Sequence, residues 1–334
     1  MEYGKLKYVE RPVSRLIFGT AIPELFAAMR SLHGDEPDFI KKLDRAFELL
    51  DAAYDLGIQT FDCANHYGEE PLGEWMKDRG LIDKVTVLTK GAHHNAWRKR
   101  VTDFDILSDA HDSLKKLNRD RIDIYVLHRD DPEVPVGPIV EALNRLHREG
   151  KIGAFGASNW THQRISEANA YALEHGLVPF TVSSPNYGLA DQVDDPWGGG
   201  CVTISGPSNA DARRWYAENN MPVIAYSSLG RGLFSGRVKS NDPESALIGM
   251  DEFARKGYLC PENMRRLARA EELAAEKGLT VPEIAMAWIM NQKLDVYAVV
   301  ASANRDRMKS NIRAAKILLS ETECRWLNLE TDER

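Results

Sequence analysis

Along the chain, short runs of β-branched and apolar residues alternate with longer stretches in which apolar positions recur every three or four residues. The short runs fall at residues 15–19, 60–64, 85–90, 122–128, 152–158, 181–184, 222–227 and 296–301. Continuous apolar runs of this length predict strands buried on both faces. Helical spacing fills the intervals at 39–55, 105–117, 136–149, 161–175, 211–219, 264–277 and 306–315. Gly57, Gly150, Gly176 and Gly278 each follow a helical stretch, where a left-handed cap is favoured, and Pro282 after Thr280 predicts the first turn of a further helix. About eight strand–helix alternations predict βα units around a parallel sheet.

No Pro/Ser/Gly-rich linker interrupts this alternation, so residues 1–334 read as a single domain. Two long connections stand out, 187–209 and 232–261, the first holding Pro196, Trp197 and the run Gly198-Gly199-Gly200. Long loops in a compact domain are commonly functional. In a parallel barrel, the loops that follow the strands build the active-site face.

Composition narrows the function classes. Hydrophobic residues make up 43% of the 334 residues and charged residues 28%, which fits a packed globular protein and excludes collagen-like, coiled-coil and disordered chains. The net charge of −7 lacks the positive field that would neutralise a phosphate backbone, so no nucleic-acid partner is expected. The cysteines at 63, 201, 260 and 324 form no CxxC pair; neither a disulfide scaffold nor a metal site is expected, and a reducing cytoplasm is the expected compartment. The opening residues carry charges instead of an apolar signal core, and no segment approaches the ~20 apolar residues of a spanning helix, so no membrane partner is expected.

The ends of three successive strands carry the chemistry. The second ends in Phe61-Asp62-Cys63-Ala64, followed by Asn65-His66-Tyr67-Gly68; the third ends in Lys90 and the fourth in His128. Taken singly, Asp62 also reads as a capping acid, Tyr67 as a rim aromatic, Lys90 as a snorkelling cation and His128 as a structural imidazole. Strand ends of a parallel barrel face one mouth, so together they form a candidate catalytic set. A lysine ammonium beside a phenol is expected to lower the Tyr67 pKa, with Asp62 keeping that ammonium charged. A neutral imidazole at His128 can donate to a carbonyl oxygen, which suits protonation of an alkoxide as it forms. This set contains no hydride, so a redox reaction requires a cofactor.

These residues stand in the order and contexts of the aldo-keto reductase family, which the chain resembles over nearly its full length. Gly57-Ile58-Gln59-Thr60-Phe61-Asp62-Cys63-Ala64 with Tyr67-Gly68 resembles the family's Gly-hydrophobic-x-x-Phe-Asp-Thr-Ala signature, and Asp123 to His128 resembles its Asp-hydrophobic-Tyr-x-x-His strand. The resemblance implies an α/β fold, a (β/α)8 TIM barrel, with a nicotinamide dinucleotide, NADPH in preference to NADH, bound without a Rossmann domain. In agreement, Gly198-Gly199-Gly200 and Gly230-Arg231-Gly232 lack the strand-turn-helix context of a Rossmann fingerprint.

By the same resemblance, the cofactor contacts are Gly19 and Thr20 after the first strand, Asp62, and Ser158-Asn159 at the nicotinamide carboxamide. Tyr226 is placed to stack on the nicotinamide, Ser227, Leu229 and Arg231 lie beside the pyrophosphate, and Ser302, Arg307 and Asn311 face the adenosine 2′-phosphate and adenine. Arg307 also opens a helix whose amide end favours an anion; its alternative reading is a solvated helix charge. The chain departs from the family at Ser184, a cofactor contact at the carboxamide where many members have glutamine, at Ser228 in place of proline, at Ala301 in place of lysine, and at Cys63 in place of threonine, where packing is expected. Trp97, Trp160 and Trp197, with His93 and His94, are expected on the substrate loops, where they either contact substrate or cap the barrel.

The resemblance implies an oxidoreductase that reduces an aldehyde or ketone, a sugar or aromatic carbonyl among them, with Tyr67 as general acid. Two other readings stay open: a cofactor-binding, redox-sensing regulatory subunit, and a sugar-modifying enzyme that recycles NAD(P) within one turnover. The sequence leaves the oligomeric state, the direction of reaction and the substrate open.

Overall fold

The computed structural model describes residues 1–34 and 38–334. Eight strands form a closed parallel barrel: β1 (Leu16–Gly19), β2 (Thr60–Asp62), β3 (Thr86–Gly91), β4 (Ile122–Leu127), β5 (Ile152–Ser158), β6 (Val182–Ser184), β7 (Val223–Ala225) and β8 (Val296–Val300). Each lies on a predicted run, with half of the sixteen ends falling a residue or two short, where the ladder stops, and β3 running one residue further, to Gly91. In chain order each strand neighbours the next, and β8 closes onto β1. No helix among the described residues is long and apolar enough to cross a membrane.

The chain packs as two compact units, 1–184 with 299–308, and 185–298 with 309–334. In the first, β1 to β6 are joined by helices that include Phe39–Asp55, Asp103–Lys116, Val136–Arg148 and His162–Glu174. Thr102 and Thr161 cap two of these, accepting from the amides of Asp105 and Arg164. Gly57, Gly150 and Gly176 adopt positive φ just past helix ends, as their positions predicted. Ile17, Phe18, Phe61, Val87, Ile124 and Phe155 are fully buried. The helices Pro23–Leu32 and Glu69–Asp78 and a short antiparallel pair, Tyr3–Gly4 with Val13–Ser14, were not anticipated. The pair is tied down by mutual bonds between Ser14 and Thr60, a long-range partner that local pattern does not reveal.

In the second unit, β7 pairs with β8, Val223 opposite Val296. The predicted further helix is Val281–Met290, started by a capping box between Thr280 and Glu283. The 232–261 connection is largely helical, with Ser245–Gly249 and Glu252–Tyr258, and the following helix begins at Pro261, ahead of the expected 264, because Pro261 occupies its first turn. The 187–209 connection is mostly irregular but internally bonded. Asp195 accepts the amides of Trp197, Gly198, Gly199 and Cys201 at 2.8–3.0 Å, which folds the triple-glycine run around one carboxylate.

Candidate active site

Strand geometry delivers three of the four chemical side chains to one place in the first unit. Asp62 ends β2, Lys90 lies at the end of β3, and His128 follows β4, whose neighbouring registers place Asp62 opposite Leu88, and Lys90 opposite Val126. Tyr67 arrives from the loop after β2. That loop turns back on itself through bonds between Ala64 and Tyr67, and Gly68 takes positive φ at the start of the next helix. A side chain at Gly68 would collide with Thr20, since its Cβ would lie 1.9 Å from Thr20 Oγ1. Glycine therefore allows the loop to close over Asp62.

Lys90 is the hub. Its ammonium pairs with Asp62, donates to the Cys63 carbonyl at 2.8 Å and donates to Tyr67 Oη at 2.8 Å. Asp62 and Lys90 are each about 5% exposed, so the ion pair is screened little by water. Burial pulls the Lys90 pKa down, but Asp62 and Tyr67 outweigh it and hold the ammonium above its ordinary range. For Tyr67 the net effect corrects the sequence expectation: burial and the Asp62 charge push the phenol up, against the opposing pull of Lys90. Tyr67 is thus a protonated phenol carrying an ammonium on its oxygen. Burial, then the charge of Lys90, drives His128 well below the usual histidine range, leaving a neutral imidazole.

Asp123 and Tyr125, which share the His128 strand motif, have structural roles. Asp123 accepts from the Val87 amide at 2.9 Å and from Arg119 at 2.8 Å, locking β4 to β3, while Tyr125 is fully buried. Cys63 is also fully buried with its thiol pushed up by burial, consistent with packing.

Among the expected cofactor contacts of the first unit, Thr20 is buried and its hydroxyl donates to the Asp62 carbonyl, beside Gly19. Ser158 donates to the Ser184 carbonyl at 2.7 Å, and Asn159, at φ 61, donates to the His128 carbonyl at 3.1 Å. Ser158, Asn159, Ser184 and His128 are therefore linked. Ser302 accepts the Asn304 amide, and Arg307, exposed in the first turn of helix Arg305–Ala314, makes no ion pair with a described residue. In the second unit, Tyr226 and Trp197 approach with ring centroids 6.2 Å apart, and the Arg231 guanidinium lies over Trp197 while pairing with Asp251 at 2.9 Å. Ser227 and Arg231 have positive φ on either side of Leu229, and Asn311 is buried on the helix that carries Arg307.

The tryptophans separate. Trp97 is 88% exposed and Trp197 40%, whereas Trp160 is 1% exposed, packs on Phe180 and donates to the Arg129 carbonyl. Trp160 therefore supports the site from within and offers no face to a substrate. Sequence reading gave no role to His66, which stacks on His128 with centroids 5.2 Å apart and meets His93 at 4.4 Å. Its place directly before Tyr67 was the available signal. A cavity of about 340 Å³ opens beside these rings, lined by Asn65, His66, His93, His94, Arg100 and Asp109 among others.

Residues 38–328 match the model of the Aldo/keto reductase family. An aldo-keto reductase of Strobilurus tenacellus is 28% identical, the match covering 84% of this chain and 79% of that protein. An NADP(+) aryl-alcohol dehydrogenase of Phanerodontia chrysosporium is 26% identical, covering 85% and 75%. A glycerol dehydrogenase from Gluconobacter oxydans superposes with a TM-score of 0.73 at 22% identity, covering 97% of this chain and 93% of that one. With its parallel barrel and the Asp62, Tyr67, Lys90 and His128 cluster, the chain belongs to the aldo/keto reductase family.

Proposed function

We propose that this protein reduces an aldehyde or ketone to an alcohol with NADPH, Tyr67 acting as general acid. Membership of the family makes it an NAD(P)H-dependent carbonyl-reducing enzyme; the cofactor preference and the roles of the residues are the proposal. The observation that carries it is the single Lys90 ammonium bonded at once to Asp62 and to Tyr67 Oη.

The chemistry of the donor set fits a dinucleotide. Arg307 presents an exposed guanidinium at a helix start, where an anion is favoured, and Ser302 lies a few residues before it. Asn159 and Ser158 offer polar groups at a strand end for a carboxamide, and Thr20 a hydroxyl at another strand end; within the second unit, Tyr226 offers an aromatic face. A reduced nicotinamide, when held by such groups, would supply the hydride.

The chain's own residues handle the proton and the oxygen. Tyr67, protonated through the working range, gives the proton at Oη to the substrate oxygen as negative charge develops on it. The phenolate left behind is stabilised by the Lys90 ammonium already bonded to it, and Asp62 keeps that ammonium charged and aimed. Neutral His128 donates to the same substrate oxygen and orients it. The test is a fluorescence titration with NADPH and with NADH, followed by a panel of aldehydes, ketones and sugars monitored at the reduced-cofactor absorbance. Tighter binding of NADPH with substrate-dependent oxidation is expected; binding without net oxidation of any carbonyl would overturn the reading.

A further inference from the structure

Three imidazoles meet in the first unit from three separate loops: His66 after β2, His93 after β3 and His128 after β4. One ring nitrogen from each lies within 4.8 Å of the others. Three histidines offering neutral nitrogens with an open fourth position constitute a common ligand set for zinc, whose tetrahedral bonds of ~2.0–2.1 Å place ligand nitrogens about 3.4 Å apart. The separations of up to 4.8 Å exceed that spacing, so ligation requires the rings of exposed His66 and half-buried His93 to turn toward a shared ion.

Two of the rings have one nitrogen already engaged, as metal-bound histidines do. His93 Nδ1 lies 2.8 Å from the His94 carbonyl and His66 Nδ1 lies 3.1 Å from Asn65 Oδ1. Both contacts put the proton on Nδ1 and leave Nε2 with a lone pair. His128 Nδ1 is buried with no hydrogen-bond partner, a polar group that a ligand would satisfy. His66 and His93 also line the cavity of about 340 Å³, which gives a hydrated ion a way in. The absence of a carboxylate from the set disfavours magnesium or calcium and favours the imidazole-seeking metals. The nearby cations include Lys90 and Arg100, paired with Asp62 and Asp109, and Arg129 and Lys116, which oppose a metal charge and limit affinity.

We propose that His66, His93 and His128 form a binding site for one zinc-class divalent transition-metal ion, built across the mouth that holds Tyr67. The bound ion takes a nitrogen of His128, so that imidazole is no longer free to orient a carbonyl oxygen. It is therefore an inhibitor competitive with the carbonyl substrate. Binding is independent of the proposed reaction; only the inhibition rests on it.

The experiment uses the full chain, freed of metal by chelator dialysis and titrated with Co²⁺ while its visible d–d absorption is followed, then with Zn²⁺ against a chromogenic chelator. One equivalent is expected, with the intense bands of a low-coordinate site. His66→Ala and His93→Ala should each weaken binding by about 10-fold or more, while His111→Ala, on an exposed helix face, should leave it unchanged. Because His66 is exposed, its variant should keep the wild-type melting temperature, which separates lost ligation from misfolding. No stoichiometric binding, or binding that survives the double His66→Ala/His93→Ala variant, would overturn the site. Binding without inhibition would keep the site and count instead against the placement of His128 beside the carbonyl.

Discussion

Lys90 Nζ donates to Tyr67 Oη at 2.8 Å while its charge is held against the Asp62 carboxylate. The acid and the group that stabilises its conjugate base are thus assembled before substrate arrives. Tyr67→Phe removes the proton and keeps the ring, so turnover should fall by about 10²–10⁴-fold with cofactor affinity retained. Steady-state rates alongside a cofactor titration decide it; near-normal turnover would remove Tyr67 from the mechanism.

Replacing Lys90 tests the ion pair. Lys90→Met leaves the Asp62 carboxylate buried without its partner, which costs about 3–5 kcal/mol. The double variant Asp62→Asn/Lys90→Met should recover much of that stability while remaining inactive, because no charge is left stranded. Urea unfolding of the single and double variants measures the coupling, and additive losses would show that the two charges act independently.

Arg307 is exposed and makes no ion pair with a described residue, so its removal should disturb little of the fold. Arg307→Ala should weaken NADPH about 10-fold or more and NADH by much less, since only NADPH carries the 2′-phosphate. Equal losses for the two cofactors would place Arg307 away from that phosphate.

Gly68 sits at φ 76, and a Cβ there would lie 1.9 Å from Thr20 Oγ1 and 2.6 Å from Thr20 Cβ. Gly68→Ala should therefore destabilise the protein by about 1–3 kcal/mol. It should also lower turnover, because Thr20 bonds the Asp62 carbonyl and Tyr67 adjoins the displaced glycine. A thermal melt indistinguishable from wild type would contradict the steric argument.

The depressed histidines make stability depend on pH. Desolvation by the surrounding protein, with neighbouring positive groups, lowers His66 to about 3 and His128 well below its ordinary value. Between the unfolded value of about 6.5 and these folded values, the unfolded chain binds more protons than the native one, so stability rises with pH. The contribution is full above about pH 6.5 and is lost as pH falls. Urea midpoints should drop from pH 7.5 to 5 more steeply in wild type than in His66→Gln; parallel slopes would show that His66 titrates normally in the folded protein.

The barrel and most of the site were legible from local order. A two-sided burial requirement writes each strand as a continuous apolar run, so the polar residue that ends it stands out, and Asp62, Lys90 and His128 are such residues. The helix caps were legible for a similar reason, because Gly57, Gly150, Gly176 and Gly278 take a conformation that depends only on their immediate neighbours. Tertiary structure alone decided what depends on distance through space. The sequence places a cation near a phenol, but only the burial of Tyr67 determines that desolvation outweighs Lys90 and keeps the proton on the phenol. Likewise Trp160 and Trp97 are both loop tryptophans in sequence, and only packing against Phe180 puts one inside and leaves the other in solvent. His66, His93 and His128 are far apart along the chain, and no periodicity relates them. They converge because parallel strands end at one mouth, and which side chains meet there is set by the loops' three-dimensional course.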